Sequence, residues 1–532
     1  MADARQLVAG LQRMLVPFSD WIGEIRHADS LRADLIAGIT VALVLVPQSM
    51  AYAQLAGLPP YIGLYASFIP VMIAAFWGSS RQLATGPVAV VSLMTAAALG
   101  PMVMGMDLMP EQRVAVYLSL AALLAIMVGV FQVLLGVLRL GVLVDFLSHP
   151  VVVGFTNGAA IIIATSQLSK LFGVTVEKSE HHYETVWRVV VAAMTETHVL
   201  TLIMGVAALA IMILMKKYLP KIPTVLTAVV ITTLASWLFG FQAAGGKVVG
   251  EVPEGLPGIS FPEFDLQVAG KLVAAAITIS LIGFMEAIAI AKAMAAQTRQ
   301  RLDTNQELFG QGLSNISAGL FGAYPVSGSF SRSAVNIGAG ARTGFSSVVT
   351  GSVVAITLLF LTPLLYHLPQ ATLAAVIIMA VINLVKVQPI KHAMKVQKHD
   401  GAVAIITFAL TLVMAPHLEK SIIVGVLLSL GLYLYRSMRP RFSELSIHSD
   451  GTFRDAAVHN LQRCKHISVL RFDGSLYFAN AGYFETKVLQ NVASKPELKF
   501  VVLDLEGVNE IDATGEEVIG NLHERLGQGG VR

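Results

Sequence analysis

Charged side chains are scarce in this chain of 532 residues, at 13%, about half the fraction found in an average soluble protein. That scarcity excludes a molecule whose main solvent is water. Cysteine is almost absent: with Cys464 alone, neither an intrachain disulfide nor a thiolate metal cage can form, and the expectation for that residue is a buried, inert thiol. No phosphate-cradling Gly-Lys loop and no metal-ligand spacing occurs, which argues against an enzyme, a cofactor or energy drawn from nucleotide hydrolysis. The formal net charge is only +3 and the basic residues form short scattered clusters, so no nucleic-acid partner is expected. The first thirty residues carry Asp3, Arg5, Arg13, Asp20, Glu24 and Arg26. They lack the short apolar core and small-residue cleavage site of a secretory signal, so this segment is expected to remain in the mature protein.

What is abundant is apolar surface: 55% of residues are hydrophobic, in repeated runs long enough to cross a hydrocarbon core of about 30 Å. Many runs exclude a single-pass receptor. Spans are predicted near residues 33–53, 61–78, 86–102, 115–138 and 146–168, then 199–216, 222–241, 269–296, 306–323, 330–341, 345–365, 371–386, 402–416 and 419–436. The charges test this count of fourteen, because inner loops are enriched in Lys and Arg. With the N-terminus inside, the inner segments hold Arg81, Arg139, the Lys216, Lys217 and Lys221 cluster, Arg299, Arg301 and Arg342. They also hold Lys386, Lys391, Lys395 and Lys398, and finally Arg436, Arg439 and Arg441. The long outer loops near 171–198 and 242–268 instead carry Glu177, Glu180, Glu184, Glu196, Glu251, Glu254, Glu263 and Asp265. An odd number of spans would scramble this alternation, so a multi-pass protein of the inner (plasma) membrane with both termini cytoplasmic is predicted.

After Arg441 the composition becomes charged and alternating. Strand-like runs at Ile467–Phe472 and Phe500–Leu505 flank a helix-like stretch, Tyr483–Val492, the pattern of a small soluble α/β domain. Gly527–Arg532 reads as the turn into another strand, so the last strand and helix of that domain are expected to lie beyond the sequence. The predicted organisation is an N-terminal segment (1–30), a membrane domain (31–436) and a cytoplasmic domain (437–532).

Two spans are too short to cross alone, and both open on small residues: Thr85, Gly86 and Pro87 in one case, Ser327, Gly328 and Ser329 in the other. A polar residue in an apolar span precedes each, Gln48 about 37 and Glu286 about 41 residues upstream. Shortened helices at matching places in two related halves point to a binding site near the bilayer midplane, which selects spans three and ten. A helix N-terminus offers free N–H groups and the positive end of its dipole, so the ligand is expected to be an anion. Thr85, Ser329 and Ser331 add hydroxyls without bulk, and Arg332 adds a cation whose burial in a span is costly without a carboxylate, water or bound anion. Glu286 is the expected protein partner of Arg332. The pair has a functional reading, in which protonation of Glu286 frees Arg332 for substrate, and a structural one, in which it only ties two spans. A hydrated carboxylate could also ligate sodium. Gln48 reads either as a cavity residue or as interhelical glue, and Tyr52 either as cavity lining or as an interfacial anchor. Lys292 reads as a structural, snorkelling cation, and Asn305, Gln306 and Glu307 as the cap that orients the ninth span.

The run from Pro47 to Pro60 (Pro-Gln-Ser-Met-Ala-Tyr-Ala-Gln-Leu-Ala-Gly-Leu-Pro-Pro), followed by Tyr61-Ile62-Gly63-Leu64-Tyr65, resembles the signature of the sulfate permease (SulP) family. So do Thr85-Gly86-Pro87 with Ser92-Leu93-Met94, the Glu286 segment, Asn305 to Asn315, and Ser329 to Asn336. The tail, with Val508 to Gly515, looks like that family's STAS domain. The resemblance implies a seven-plus-seven inverted repeat like that of uracil permeases, divided into a substrate-carrying core and a gate that often dimerises, with elevator-like movement. It places the anion between spans three and ten, against Gln48, Tyr52, Val88, Glu286, Ser331 and Arg332, with Val88 acting through its backbone N–H. Where related anti-sigma antagonists carry a phosphorylatable serine pair, this chain has Asp512-Ala513-Thr514, so Thr514 is expected to cap a helix and the loop to bind a protein partner.

The function expected on these grounds is secondary active transport of sulfate or a related small oxyanion, with proton rather than sodium coupling through Glu286. Competing readings are transport of bicarbonate or a dicarboxylate such as succinate, a passive anion channel, and a signalling scaffold built on the STAS domain. Expected partners are the anion, H+, membrane lipid, a second copy in a homodimer and a cytoplasmic protein.

Overall fold

In the computed structural model residues 16–106, 109–141, 148–177, 179, 181–219, 222–263 and 265–532 are described. Lys221, Glu180 and the charges before residue 16 therefore lie outside the described residues. Each of the fourteen predicted runs coincides with helix, labelled here in order: α1 (Ala28–Leu55), α2 (Ile69–Trp77, after a short turn of helix at Tyr61–Tyr65), α3 (Ala89–Met104), α4 (Pro110–Val137), α5 (His149–Ser166), α6 (Val199–Tyr218) and α7 (Thr224–Leu238). The second seven are α8 (Leu266–Thr298), α9 (Thr304–Leu320), α10 (Phe330–Gly338), α11 (Phe345–Ile356), α12 (Gln370–Val381), α13 (Lys398–Met414) and α14 (Leu418–Ser437). Two further helices, His182–Glu196 and Val387–Val396, occupy segments read from sequence as loops. Both are amphipathic rather than uniformly apolar, so a search for membrane spans passes over them.

The helices sort into two packing groups. In one, α9 packs on α4 and α2, α11 on α1 and α2, and α8 on α4 and α3; in the other, α13 packs on α5, and α6 on α12 and α7. Small residues bring α4 and α9 together: a Cβ on Gly129 would stand 2.5 Å from the carbonyl oxygen of Gly312, a backbone approach typical of membrane helices.

The chain divides into compact units at Val426 and Leu427, within α14. In the second unit β3 (Arg441–Ile447), β4 (Phe453–Asp455), β5 (Ile467–Asp473) and β6 (Phe500–Asp504) form a sheet of order β4-β3-β5-β6. The first two contacts are antiparallel and β5–β6 is parallel. Leu470, Phe472, Phe484, Val488 and Leu522 form its core with helices α15 (Ala481–Ala493) and α16 (Ala513–Gln528). Beyond Gly530, Arg532 exchanges hydrogen bonds with Lys499 and Val501 at β6, the strand-like pairing expected after that turn.

Two expectations change here. Cys464 is exposed, not buried, because it lies in the irregular segment between β4 and β5, outside the core. The cap of α16 is Asp512, whose carboxylate accepts from Gly515 N–H at 2.8 Å, while Thr514 stands inside the first turn. Asp512 is one residue outside the helix, where a side-chain oxygen can reach the free N–H groups. Those N–H groups hold its carboxyl below the usual carboxylate range, so the cap is ionised at neutral pH.

The N–H groups of His466 and Ile467 also hold the Cys464 thiol below its ordinary range. A maleimide is expected to label one thiol per folded chain within minutes at neutral pH, read by intact mass; labelling only after denaturation contradicts this exposure. Asp512→Ala is expected to reduce amide protection in the first turn of α16 in hydrogen-exchange measurements, and Thr514→Ala to leave it unchanged.

Candidate functional site

The two short helices begin at one place. Residues Thr85–Gly86 (β1) and Ser327–Gly328 (β2) pair antiparallel, Thr85 with Gly328 and Gly86 with Ser327, and the ladder continues as Ser329 N–H donates to Ala84 O at 3.0 Å. From this crossing α3 and α10 lead away. At 16 and nine residues they extend about 24 and 14 Å, so neither crosses a bilayer alone. Val88 is the extended residue before α3 and no side chain caps that helix, leaving its first-turn N–H groups for another partner. At α10 the Ser329 hydroxyl takes the cap, accepting from Arg332 N–H at 3.5 Å and lying 3.3 Å from the Ser331 hydroxyl.

Arg332 is the charged residue at this crossing. Its side chain is fully buried and turns back from α10 towards the start of α3, where Nη1 donates to Pro87 O at 2.8 Å. Nε and Nη2 are buried without a hydrogen-bond partner. Gly86 makes this approach possible: a Cβ there would stand 3.3 Å from Nη2, and its φ of +145° is one that side-chain-bearing residues rarely adopt. The expected ion pair is not formed, since no Arg332–Glu286 bridge occurs among the described residues, and Arg332 spends its one bond on a carbonyl instead. Glu286, half-buried on α8, stays within electrostatic range of Arg332 and of Lys386.

Gln48 and Tyr52 are both buried on α1, one helical turn apart, and Gln48 Oε1 has no hydrogen-bond partner. Tyr52 lies within electrostatic range of Arg332 and Glu286, which places its ring at the crossing rather than at the membrane surface. Thr85 is buried and its hydroxyl accepts from Gln311 Nε2 at 2.8 Å, so it braces the crossing. Lys292 is exposed, in keeping with a snorkelling side chain.

Sequence reasoning missed the brace behind the crossing. Glu307, Gln311 and Asn315 follow one another at one-turn spacing on α9, all buried. Glu307 Oε2 accepts from Ser79 N–H and Ser80 N–H, each at 2.8 Å, and Oε1 accepts from Gln311 at 3.1 Å. Asn315 accepts from Val326 N–H at 2.8 Å, donates to Val326 O at 3.1 Å and reaches Gln132 at 3.0 Å. The cap of α9 is thus not Asn305, Gln306 or Glu307 but Asp303, which accepts from Asn305 N–H and Gln306 N–H. Gln306 and Glu307 orient the helix by holding the end of α2. The i, i+4, i+8 polar stripe was the available signal, because three polar residues on one face of a membrane helix must face other protein.

Residues 31–407 match the sulfate permease family and residues 459–532 the STAS domain. The chain is 36% identical over 532 residues to sulfate transporter 4.1, chloroplastic, of Arabidopsis thaliana, covering 96% of this chain and 76% of that one. It is 34% identical over 508 residues to a probable sulfate transporter of Mycobacterium tuberculosis, covering 94% and 88%. The fold matches the murine solute carrier 26 family member A9 anion transporter in its inward-facing state with a TM-score of 0.90 and 25% identity, over 98% of this chain and 88% of that one. It is that of a helical membrane transporter with fourteen spans in an inverted repeat and a C-terminal STAS domain.

An unpaired buried cation costs several kcal/mol in a protein interior, and an apolar replacement of similar size removes that cost. Arg332→Met is therefore expected to leave the melting temperature of the ligand-free protein unchanged or raised, and to abolish its increase with added sulfate, an increase that reflects about 2.7 kcal/mol of added stability when sulfate is present at a hundred times its Kd. A variant that keeps the full sulfate-dependent increase contradicts an anion site at Arg332.

Proposed function

The chain belongs to the sulfate permease family of membrane anion transporters, and from that premise we propose that it carries sulfate into the cell by proton symport, with the anion held between the starts of α3 and α10. The observation that carries this reading is Arg332, buried with two guanidinium nitrogens unpartnered where two helix N-termini meet. Those N–H groups and the guanidinium are oriented before any ligand arrives, so the anion replaces its water shell with fixed donors. The set is the Val88-side backbone of α3, the Ser329–Ser331 turn, Arg332, and Gln48 and Tyr52 from α1.

Glu286 supplies the coupling in this reading. An ionised Glu286 competes with the anion for the field of Arg332; its protonation leaves that field to the substrate, so proton and anion bind together. Movement is elevator-like: the group containing α1–α4 and α8–α11 carries the site past the group containing α5–α7 and α12–α14. We place the protein in the inner membrane with both termini cytoplasmic, on the Lys and Arg asymmetry of its loops, as a homodimer whose STAS domain recruits a cytoplasmic partner.

Uptake of labelled sulfate into proteoliposomes, with and without an inward proton gradient, tests this. The wild type is expected to accelerate severalfold with the gradient, and Glu286→Gln to transport at a rate indifferent to it. Gradient-insensitive uptake by the wild type defeats proton coupling. Active protein that takes up bicarbonate or succinate but not sulfate overturns the substrate.

A further inference from the structure

The fifth helix of each half, α5 and α12, is followed by a lysine that reaches the other packing group. Beyond α12, the backbone of Lys386 is clamped by Asn157 of α5, which accepts from Lys386 N–H at 2.7 Å and donates to Lys386 O at 3.3 Å. The clamp fixes where the side chain starts. Its ammonium stands 5.9 Å from the centre of the Phe330 ring, on the first residue of α10 and two positions before Arg332. It is exposed and acts electrostatically on Glu286. It forms no ion pair among the described residues.

At the opposite end of the bundle, in the short helix after α5 (Leu168–Phe172), Lys170 donates to Gln54 Oε1 of α1 at 3.2 Å. Both border a cavity of about 440 Å³ lined also by Arg113, Tyr117, Pro59 and Gln370. Gln54 lies on the helix that carries Gln48 and Tyr52 towards the site. Each lysine thus follows the fifth helix of its half, and the two stand at opposite ends of the bundle beside the other packing group.

We propose that Lys386 and Lys170 are a symmetry-related pair of entry cations, Lys386 receiving the anion at the inner mouth and Lys170, with Arg113, receiving it in the outer cavity. This rests on the orientation and the anion site proposed above. A cation at a mouth with low-dielectric walls raises the local concentration of anions, an effect that salt screens. Each lysine then sets the half-saturating concentration at its own face and leaves the maximal rate nearly untouched, because neither touches the anion at the central site. The Lys386–Phe330 and Lys170–Gln54 contacts cross from one group to the other, so they change when the groups slide.

The test uses full-length protein in proteoliposomes, with orientation read from maleimide labelling of Cys464 and sulfate supplied from one face at a time. Lys386→Gln is expected to raise the half-saturating sulfate concentration at the inner face by about tenfold at low salt, the size of one ammonium acting on a divalent anion at about 6 Å through water. The outer value stays the same. Lys170→Gln gives the reverse, both effects shrink in 0.5–1 M neutral salt, about a 3–4 Å screening length, and Lys386→Arg restores the wild-type value. Equal changes at both faces, or a salt-independent loss reproduced by Phe330→Ala, overturns the proposal in favour of a packing role. An inverted topology would exchange the faces while keeping each effect one-sided. If the wild type carries bicarbonate or succinate instead, the same curves measured with that anion decide the matter.

Discussion

A fully buried guanidinium with no acidic partner within ion-pair distance among the described residues is the constraint around which the membrane domain is arranged. Among the described residues the Arg332 guanidinium makes one hydrogen bond, to the carbonyl of Pro87, and two of its nitrogens meet no protein acceptor. Such a group destabilises a protein that does nothing with it. Around it stand two helix N-termini, a serine turn, and a glycine that lets the guanidinium come close to the backbone.

Holding that arrangement requires rigid support, and α9 supplies it. Neither α3 nor α10 is long enough to be positioned by lipid on both sides, so their starts must be pinned by protein. Glu307 pins the chain after α2, Gln311 pins Thr85 on β1, and Asn315 pins Val326 ahead of β2. One face of one helix thus ties both halves of the repeat to a common crossing. The close backbone packing of α9 on α4 makes the brace stiff, and Gln132 of α4 completes it through Asn315.

A similar economy holds at the other end of the chain. In the C-terminal unit the core rests on few residues, and the loop before α16 is shaped by Asp512. Its carboxylate accepts from Gly515 N–H on α16 and from Phe478 N–H at 2.9 Å, joining the start of that helix to the turn after β5. Thr514, which occupies the place of interest by resemblance, contributes its backbone N–H to this cap, and the capping side chain is that of Asp512.

Much of this was legible in the sequence. Fourteen apolar runs became fourteen helices because a hydrocarbon solvent leaves few alternatives to helix for an apolar segment of that length. The two short helices and the small residues before them were legible for the same reason, since a run too short to span must end inside protein. Amphipathic helices such as Val387–Val396 escaped, their apolar residues being too few for a span. What only the tertiary structure decided was which polar groups meet. Arg332 was expected against Glu286 and lies instead on Pro87; Cys464 was expected inside and lies outside; Asn305, Gln306 and Glu307 were expected to cap α9, which Asp303 caps instead. The pattern of apolar residues along a chain sets which segments leave water. Partners in the low-dielectric interior depend on side-chain direction and on backbone carbonyls and N–H groups brought in from residues 200 or more positions away, about which spacing along the chain carries no information.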